Sequence, residues 1–364
     1  MINQTDCLFH GLDMGSTTVK AVVVDPADDR ILWQEYERHE TKQPEKVLEF
    51  LEKILNFTNL PPSRFRIFAT GSGGNAIAGF VGAKFVQEVN AVTLAVEKLH
   101  PKAGSVIELG GQDAKIIIFR EDPETGKKKK IPSMNDKCAG GTGAVLDKIN
   151  AKLRIPAEQL SALGYDGIKL HPVAGKCGVF AETDINGLQK QGVPPDELMA
   201  SLFESIVQQN LSVLTRGHTL RPEVLLLGGP NTFIKGMLEC WQSNIVKVWE
   251  ERSMALPEGV NPASLIHVPA NAQYFAAIGA VEFGKDSEDD GSRFTGLDSL
   301  RQYIDVGRHQ TKRGRSCKAL CTSPDELAEF KKEYSVTPFV RKVLAPGTVF
   351  RAHLGIDGGS TSTK

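Results

Sequence analysis

Residues 9–25 read FHGLDMGSTTVKAVVVD, two apolar runs on either side of Gly15-Ser16-Thr17-Thr18. Phe9–Met14 and Val19–Asp25 are short and rich in apolar or β-branched side chains, so the stretch reads as two strands joined by a tight turn. Ile31–Arg38 is a candidate third strand. A glycine-containing hairpin with successive hydroxyls can aim backbone N–H and side-chain O–H donors at phosphate oxygens. Lys20 would add a point charge, and Asp13 is the residue type that holds Mg2+ through water. Taken alone, Asp-x-Gly-Ser/Thr is equally a plain hairpin. Nothing in the chain matches the G-x-x-x-x-G-K-[ST] pattern, which excludes a P-loop.

Outward from this hairpin the chain alternates strands and helices. Gln43–Phe57 spaces Val47, Leu48, Leu51, Ile54 and Leu55 as one helix face and stops before Pro61-Pro62. Arg66–Thr70 is a strand running into the glycine turn 71–74, and Val89–Leu99 is a helix. Ser105–Leu109 and Ala114–Phe119 repeat the strand–glycine–strand arrangement around Gly110-Gly111-Gln112-Asp113. The lysine run Lys127–Lys130 reads as a solvated hairpin turn. Helices are expected over Thr142–Leu153, Cys177–Gln191, Pro195–Arg216 and Ala272–Glu282, with a buried strand Glu223–Leu227 ending at Gly228-Gly229. Such mixing indicates an α/β protein.

Composition narrows the function. The 364 residues carry 43 basic and 44 acidic side chains, a formal net charge of -1, which lacks the basic excess of a nucleic-acid-binding chain. The 35 glycines exceed ordinary usage and point to tight turns and ligand-hugging loops. The six cysteines are too few for a disulfide scaffold of this size. Met1–Gly11 lacks a signal-peptide pattern, and no apolar run approaches the ~18 residues of a membrane span. The expected setting is the cytoplasm, without membrane or nucleic-acid partners.

Organisation changes after Gly284. Lys285–Arg293 is charged, 294–350 is weakly patterned, and Gly355–Lys364 reads GIDGGSTSTK against GLDMGSTTVK at Gly11–Lys20. Six of ten positions agree at an offset of 344 residues, the mark of a duplicated module rather than a solenoid. The expectation is a two-lobed module over 1–284, with lobe I about 1–100 plus a C-terminal helix and lobe II about 101–270. A linker over 285–350 and the truncated start of a second module at 351–364 would follow.

Two cysteines stand at expected helix starts, Cys138 in NDKCAGGTG (135–143) and Cys177 in GKCGVFAE (175–182). Helix N–H groups there lower a thiol's pKa and favour an anionic ligand. Singly, each cysteine reads first as a small core residue and second as a ligand. An iron–sulfur cluster usually takes four thiolates, so one chain's pair is insufficient. A twofold dimer would supply the other pair, with one [4Fe–4S] on its axis.

In order along the chain, the three glycine turns at 15–18, 110–113 and 228–229 resemble the phosphate-1, phosphate-2 and adenosine segments of the acetate kinase, sugar kinase, Hsp70 and actin superfamily. That resemblance implies a two-lobed ribonuclease-H-like ATPase fold closing over ATP and Mg2+. From about residue 8 to 284, GLDMGSTTVK, ATGSGGN, ELGGQDAK, NDKCAGGTG, CGVFAE and LLLGGPN together resemble the BadF/BadG/BcrA/BcrD family, ATPase activators of 2-hydroxyacyl-CoA dehydratases and benzoyl-CoA reductases. What the family resemblance implies is a homodimeric iron–sulfur ATPase. It would take an electron from ferredoxin or flavodoxin and deliver it, driven by ATP, to a dehydratase- or reductase-type acceptor enzyme. By the same resemblance Cys138 and Cys177 are cluster ligands. Asp13, Gly15, Ser16, Thr17, Thr18, Lys20, Gly110, Gly111, Gln112, Gly141, Gly228 and Gly229 are the ATP/ADP site. Gln112, Asp113 and Asp13 are the catalytic set, with Gln112 or Asp113 orienting the attacking water.

Two departures mark a distinct subfamily: Glu108 stands where Asp is usual, and Val89-Asn90-Ala91 where a Cys-His pair is usual. A small-molecule kinase of the same fold would explain the glycine turns but leave Cys138 and Cys177 without a purpose. A non-redox actin- or Hsp70-like nucleotide switch is the third class. Cys7 and Cys240 read as ordinary core or surface residues, and Cys317-x-x-x-Cys321 is half a metal site at most.

Overall fold

The opening hairpin forms the middle of a sheet. In this computed structural model, which describes residues 7–122, 128–135, 139–285, 292–307, 321, 323–340, 343–358 and 363–364, β1 (Leu8–Met14) pairs antiparallel with β2 (Thr18–Asp25), Asp13 opposite Lys20. β3 (Arg30–Arg38) extends it on the far side of β2. After α1 (Gln43–Thr58), β4 (Phe65–Thr70) lies parallel to β1. Then come α2 (Gly74–Val81), the short β5 (Lys84–Phe85) parallel to β4, and α3 (Glu88–Leu99).

Lobe II repeats the plan. β6 (Ser105–Leu109) and β7 (Ala114–Glu121) form the second hairpin, and β8 (Lys128–Asn135) pairs antiparallel with β7. The helices α4 (Gly143–Leu153), α5 (Ala157–Ala162), α6 (Gly178–Lys190) and α7 (Pro195–Leu214) precede β9 (Val224–Leu227), which lies parallel to β6. After α8 (Gly229–Phe233), α9 (Lys235–Glu251) and β10 (Ile266–His267), α10 (Phe275–Lys285) returns to lobe I. The sheet orders are β3-β2-β1-β4-β5 and β10-β9-β6-β7-β8, one connectivity used twice.

Alternation along the strands makes three cores. Leu8, Leu12 and Val19 meet Val47, Leu51 and Ile54 of α1, whose one apolar stripe the spacing predicted. Phe9, Val22 and Phe68, on the opposite face, share a middle layer with α3, α10, Val106, Ile117 and Leu225. The third core packs sheet II against α4, α6, α7 and α9. Small residues let the middle layer approach closely. A Cβ on Gly279 of α10 would fall 1.6 Å from the Ala91 carbonyl oxygen of α3.

The lysine run is corrected. Lys128–Lys130 open β8, opposite Glu121, Arg120 and Phe119, and Lys127 lies outside the described residues. β8 is an edge strand, where lysines block further pairing and Pro132 removes no needed ladder bond. Helices unread in the sequence, α2, α5 and α9 among them, complete the layers. Ser292 and Phe294 lie beside β4, where Ile67 N–H donates to Ser292 O (3.1 Å) and Phe294 N–H to Phe65 O (3.1 Å). Phe294, Leu297 and Leu300 join the outer core of lobe I.

The chain divides into two units, Met1–Gln310 and Thr311–Lys364. In the second, a helix over Pro324–Glu333 is capped by Ser323, whose hydroxyl accepts from Glu326 N–H. Asp357 and Lys364 exchange both backbone hydrogen bonds (2.8 and 2.9 Å), and Gly358 bridges Thr363. The same pairings, Asp13 with Lys20 and Met14 with Val19, occur between β1 and β2. Residues 359–362 and Cys317 lie outside the described residues.

Candidate functional site

The two hairpin turns face one another from equivalent places in the two sheets. Gly15–Thr18, Lys20, Gly110, Gly111, Asp113, Gly228 and Gly229 line one cavity of about 460 Å3. At Gly228 φ is +87°, and a Cβ would strike the Leu109 carbonyl oxygen at 2.2 Å, so only glycine turns the chain this tightly out of β9. α4 is fastened to the second turn: Gly143 N–H donates to Gly110 O (2.9 Å), and Ala144 N–H (2.7 Å) and the Thr142 hydroxyl (2.8 Å) donate to Gly111 O. The first amides of α4 are thus spent on the turn itself.

Carboxylates outnumber cations beneath the turns. Lys20 Nζ lies 2.7 Å from Asp13 Oδ2. Burial opposes the charge on Lys20, but Asp13 outweighs it and holds the ammonium above its usual range. Asp13 Oδ1 is buried with no hydrogen-bond partner among the described residues. Lys115, fully buried, touches Glu88 (2.7 Å), Asp113 (3.0 Å) and Glu108 (3.1 Å, too oblique for a hydrogen bond). Burial pushes the Glu88 carboxyl up to about 8 against the pull of Lys115, and raises Glu108 as well. Burial also opposes the charge on Lys115, but its three carboxylate neighbours keep it firmly protonated.

Across the mouth, Arg38 at the end of β3 grips Asp147 of α4 with two bonds of 2.7 and 2.8 Å. Tyr36 lies over Gly229 and meets Phe233 edge-on, ring centroids 5.4 Å apart. These contacts clasp lobe I to lobe II over the cavity.

Of the residues expected at this site, Asp13 lies just beneath the lining, bonded to Lys20. Gln112 is exposed at the tip of its turn and outside the lining, whereas Asp113 faces in. Gly141 is buried behind the cavity, where its carbonyl accepts from Asn210 Nδ2 (2.7 Å). Cys138 lies outside the described residues. Cys177 stands apart from the cavity as the N-cap residue of α6, its thiol pulled below its usual pKa by the Phe180 and Val179 backbone N–H groups. The start of α6 packs against Gly140 and α4: a Cβ on Gly178 would lie 2.8 Å from Val145 Cγ2 and 3.6 Å from Gly140 Cα. Sequence reasoning missed Tyr36, Arg38, Glu88, Asp147 and Asn150 in the lining. Only for Asp147 and Asn150 was a signal present, their helical spacing from Gly143.

A profile of the BadF/BadG/BcrA/BcrD ATPase family matches residues 10–284. This chain belongs to that family. The (R)-2-hydroxyglutaryl-CoA dehydratase activating ATPase of Acidaminococcus fermentans is 26% identical over 231 residues, 63% of this chain and 86% of that protein. A benzoyl-CoA reductase subunit from Thauera aromatica is 26% identical over 277 residues, 75% of this chain and 92% of that protein. The structure of the activator of the 2-hydroxyisocaproyl-CoA dehydratase from Clostridium difficile, with bound ADPNP, aligns with TM-score 0.60 at 22% identity, covering 86% of this chain and 100% of that one. The likeness confirms the two-lobed ribonuclease-H-like fold. Among the described residues, no helix is long and apolar enough to cross a membrane.

Proposed function

We propose that the cavity binds ATP, and that its hydrolysis drives electron delivery to a dehydratase- or reductase-type acceptor enzyme. The observation that carries the first half is the meeting of all three glycine turns in one clasped cavity of an ATPase-family chain. The turns at Gly15–Thr18 and Gly110–Asp113 cradle the phosphates, and Lys20 adds positive charge. The orphaned Asp13 Oδ1 and the excess of buried carboxylate suit Mg2+, which keeps most of its waters and takes one or two carboxylates beside the phosphates. Asp113, facing in and braced by Lys115, orients the attacking water. The water's oxygen bonds to the γ-phosphorus as the bond to the ADP oxygen breaks, and the water's proton leaves with the phosphate products.

Loss of the γ-phosphate removes charge from between the two turns, which relaxes lobe closure. Because α4 hangs from the Gly110-Gly111 turn, that motion reaches Gly140 and, through Val145 and Gly178, the start of α6 at Cys177. Among the described residues no group of three His, Cys, Asp or Glu side chains could hold a metal ion. The acidified, half-exposed Cys177 thiol nonetheless fits a cluster completed by Cys138 and by the same pair from a second copy. A [4Fe–4S] held there supplies a one-electron carrier fed by ferredoxin or flavodoxin. Val179 and Phe180, exposed beside Cys177, offer the apolar contact that a second copy would cover.

The test is anaerobic purification with iron, sulfide and phosphate-release assays. A brown protein that hydrolyses ATP and loses its iron in Cys177→Ser supports the reading. A colourless protein after reconstitution overturns the electron-transfer half, and absent ATP hydrolysis overturns the other.

A further inference from the structure

α4 lays one face along the cavity. Gly143, Leu146, Asp147 and Asn150 all line it, the i, i+3, i+4, i+7 set of a single helix stripe. Gly143 abuts the second glycine turn, so Asn150, seven residues on, lies about 10 Å further from the phosphate end at ~1.5 Å rise per residue. The same cavity is lined by the apolar Leu160, Phe233 and Ile234, together with Ser161. Within that lining, Asn150 Oδ1 is buried with no hydrogen-bond partner among the described residues. Buried acceptors are normally paired, and one left open beside a cavity marks where a donor is missing.

We propose that Asn150 reads the nucleotide base, an assignment that rests on the nucleotide reading above. Its carboxamide oxygen accepts from the exocyclic amine of adenine while its NH2 donates to the neighbouring ring nitrogen, the two-point pairing by which Asn and Gln recognise adenine. Rotation about the last side-chain torsion, a soft one, turns that amide edge toward the base. Hypoxanthine and guanine carry a carbonyl in place of that amine, while the ring nitrogen N7 stays an acceptor. The carboxamide then makes at most one of the two bonds, its oxygen set against the carbonyl or, if flipped, against N7, so the site selects ATP. The turns at Gly15–Thr18 and Gly110–Asp113, which cradle the phosphates, cannot make this distinction.

The test compares kcat/KM for hydrolysis of ATP and of inosine triphosphate, which differs only at that edge. The wild type is expected to favour ATP by about tenfold or more, and Asn150→Ala and the near-isosteric Asn150→Leu to bring the ratio within about threefold of unity. Thermal melting checks that both variants fold. A wild type indifferent to the base overturns the assignment. So do variants that keep the ratio while losing activity on both nucleotides equally, the signature of a merely structural residue. A wild type that hydrolyses neither nucleotide overturns the nucleotide reading, a separate and distinguishable result.

Discussion

Removing the Arg38 side chain should speed nucleotide release by a calculable amount. Arg38 and Asp147 make two hydrogen bonds of 2.7 and 2.8 Å, but their side chains remain 55% and 40% exposed. A unit-charge pair ~4 Å apart is worth about 1 kcal/mol in water and about 4 in a protein-like medium. Half-exposed pairs sit near the lower figure, and measured exposed pairs give ~0.2–1 kcal/mol, with bidentate geometry at the top of that range. About 1 kcal/mol is roughly a fivefold shift between closed and open lobes. Stopped-flow release of a fluorescent ATP analogue should therefore accelerate about fivefold in Arg38→Ala and in Asp147→Ala, with little further gain in the double variant. High salt should quicken release from the wild type and barely touch the variants. Additive single effects, or a change below about twofold, would refute the clasp. A change of a hundredfold or more would also refute it, because only a desolvated pair is worth that much.

Two further outcomes follow from packing and charge. Gly279→Ala should lose about 3 kcal/mol or more, since its methyl would meet the Ala91 carbonyl at 1.6 Å, and the ~1 kcal/mol gain in helix propensity is too small to offset that. An unchanged denaturant midpoint would show that α3 and α10 can part freely. Glu88, held near 8 when folded against 4.5 as its ordinary value, binds a proton that the unfolded chain has released. Stability should therefore fall as pH rises between those values, by up to ~1.4 kcal/mol per unit, and level off above. Glu88→Gln should flatten that slope, as denaturation below, within and above the window would show. An identical slope in the variant would place the titration elsewhere.

Much of the site was legible where neighbours in sequence are neighbours in space. The turns at 15–18 and 110–113 each join adjacent antiparallel strands, so short runs of apolar and glycine residues sufficed to mark them. Cys177 was placed at a helix start for the same local reason. Lys128–Lys130 were misjudged because a run of like charges suits a turn and an exposed edge strand equally. Gln112 and Asp113 were indistinguishable as a dipeptide, and only the path of the turn pointed one inward and the other out.

What the sequence determined by itself was therefore the doubled hairpin plan and the family, because each motif is a local arrangement of backbone and small side chains. The tertiary structure decided the charges and the closure. Lys115 meets Glu88 from 27 residues away and Arg38 meets Asp147 from 109 away, pairings set by how two sheets sandwich α3 and α10. Burial then raises the Glu88 carboxyl, and burial is a property of the packed lobes that no single stretch of chain contains.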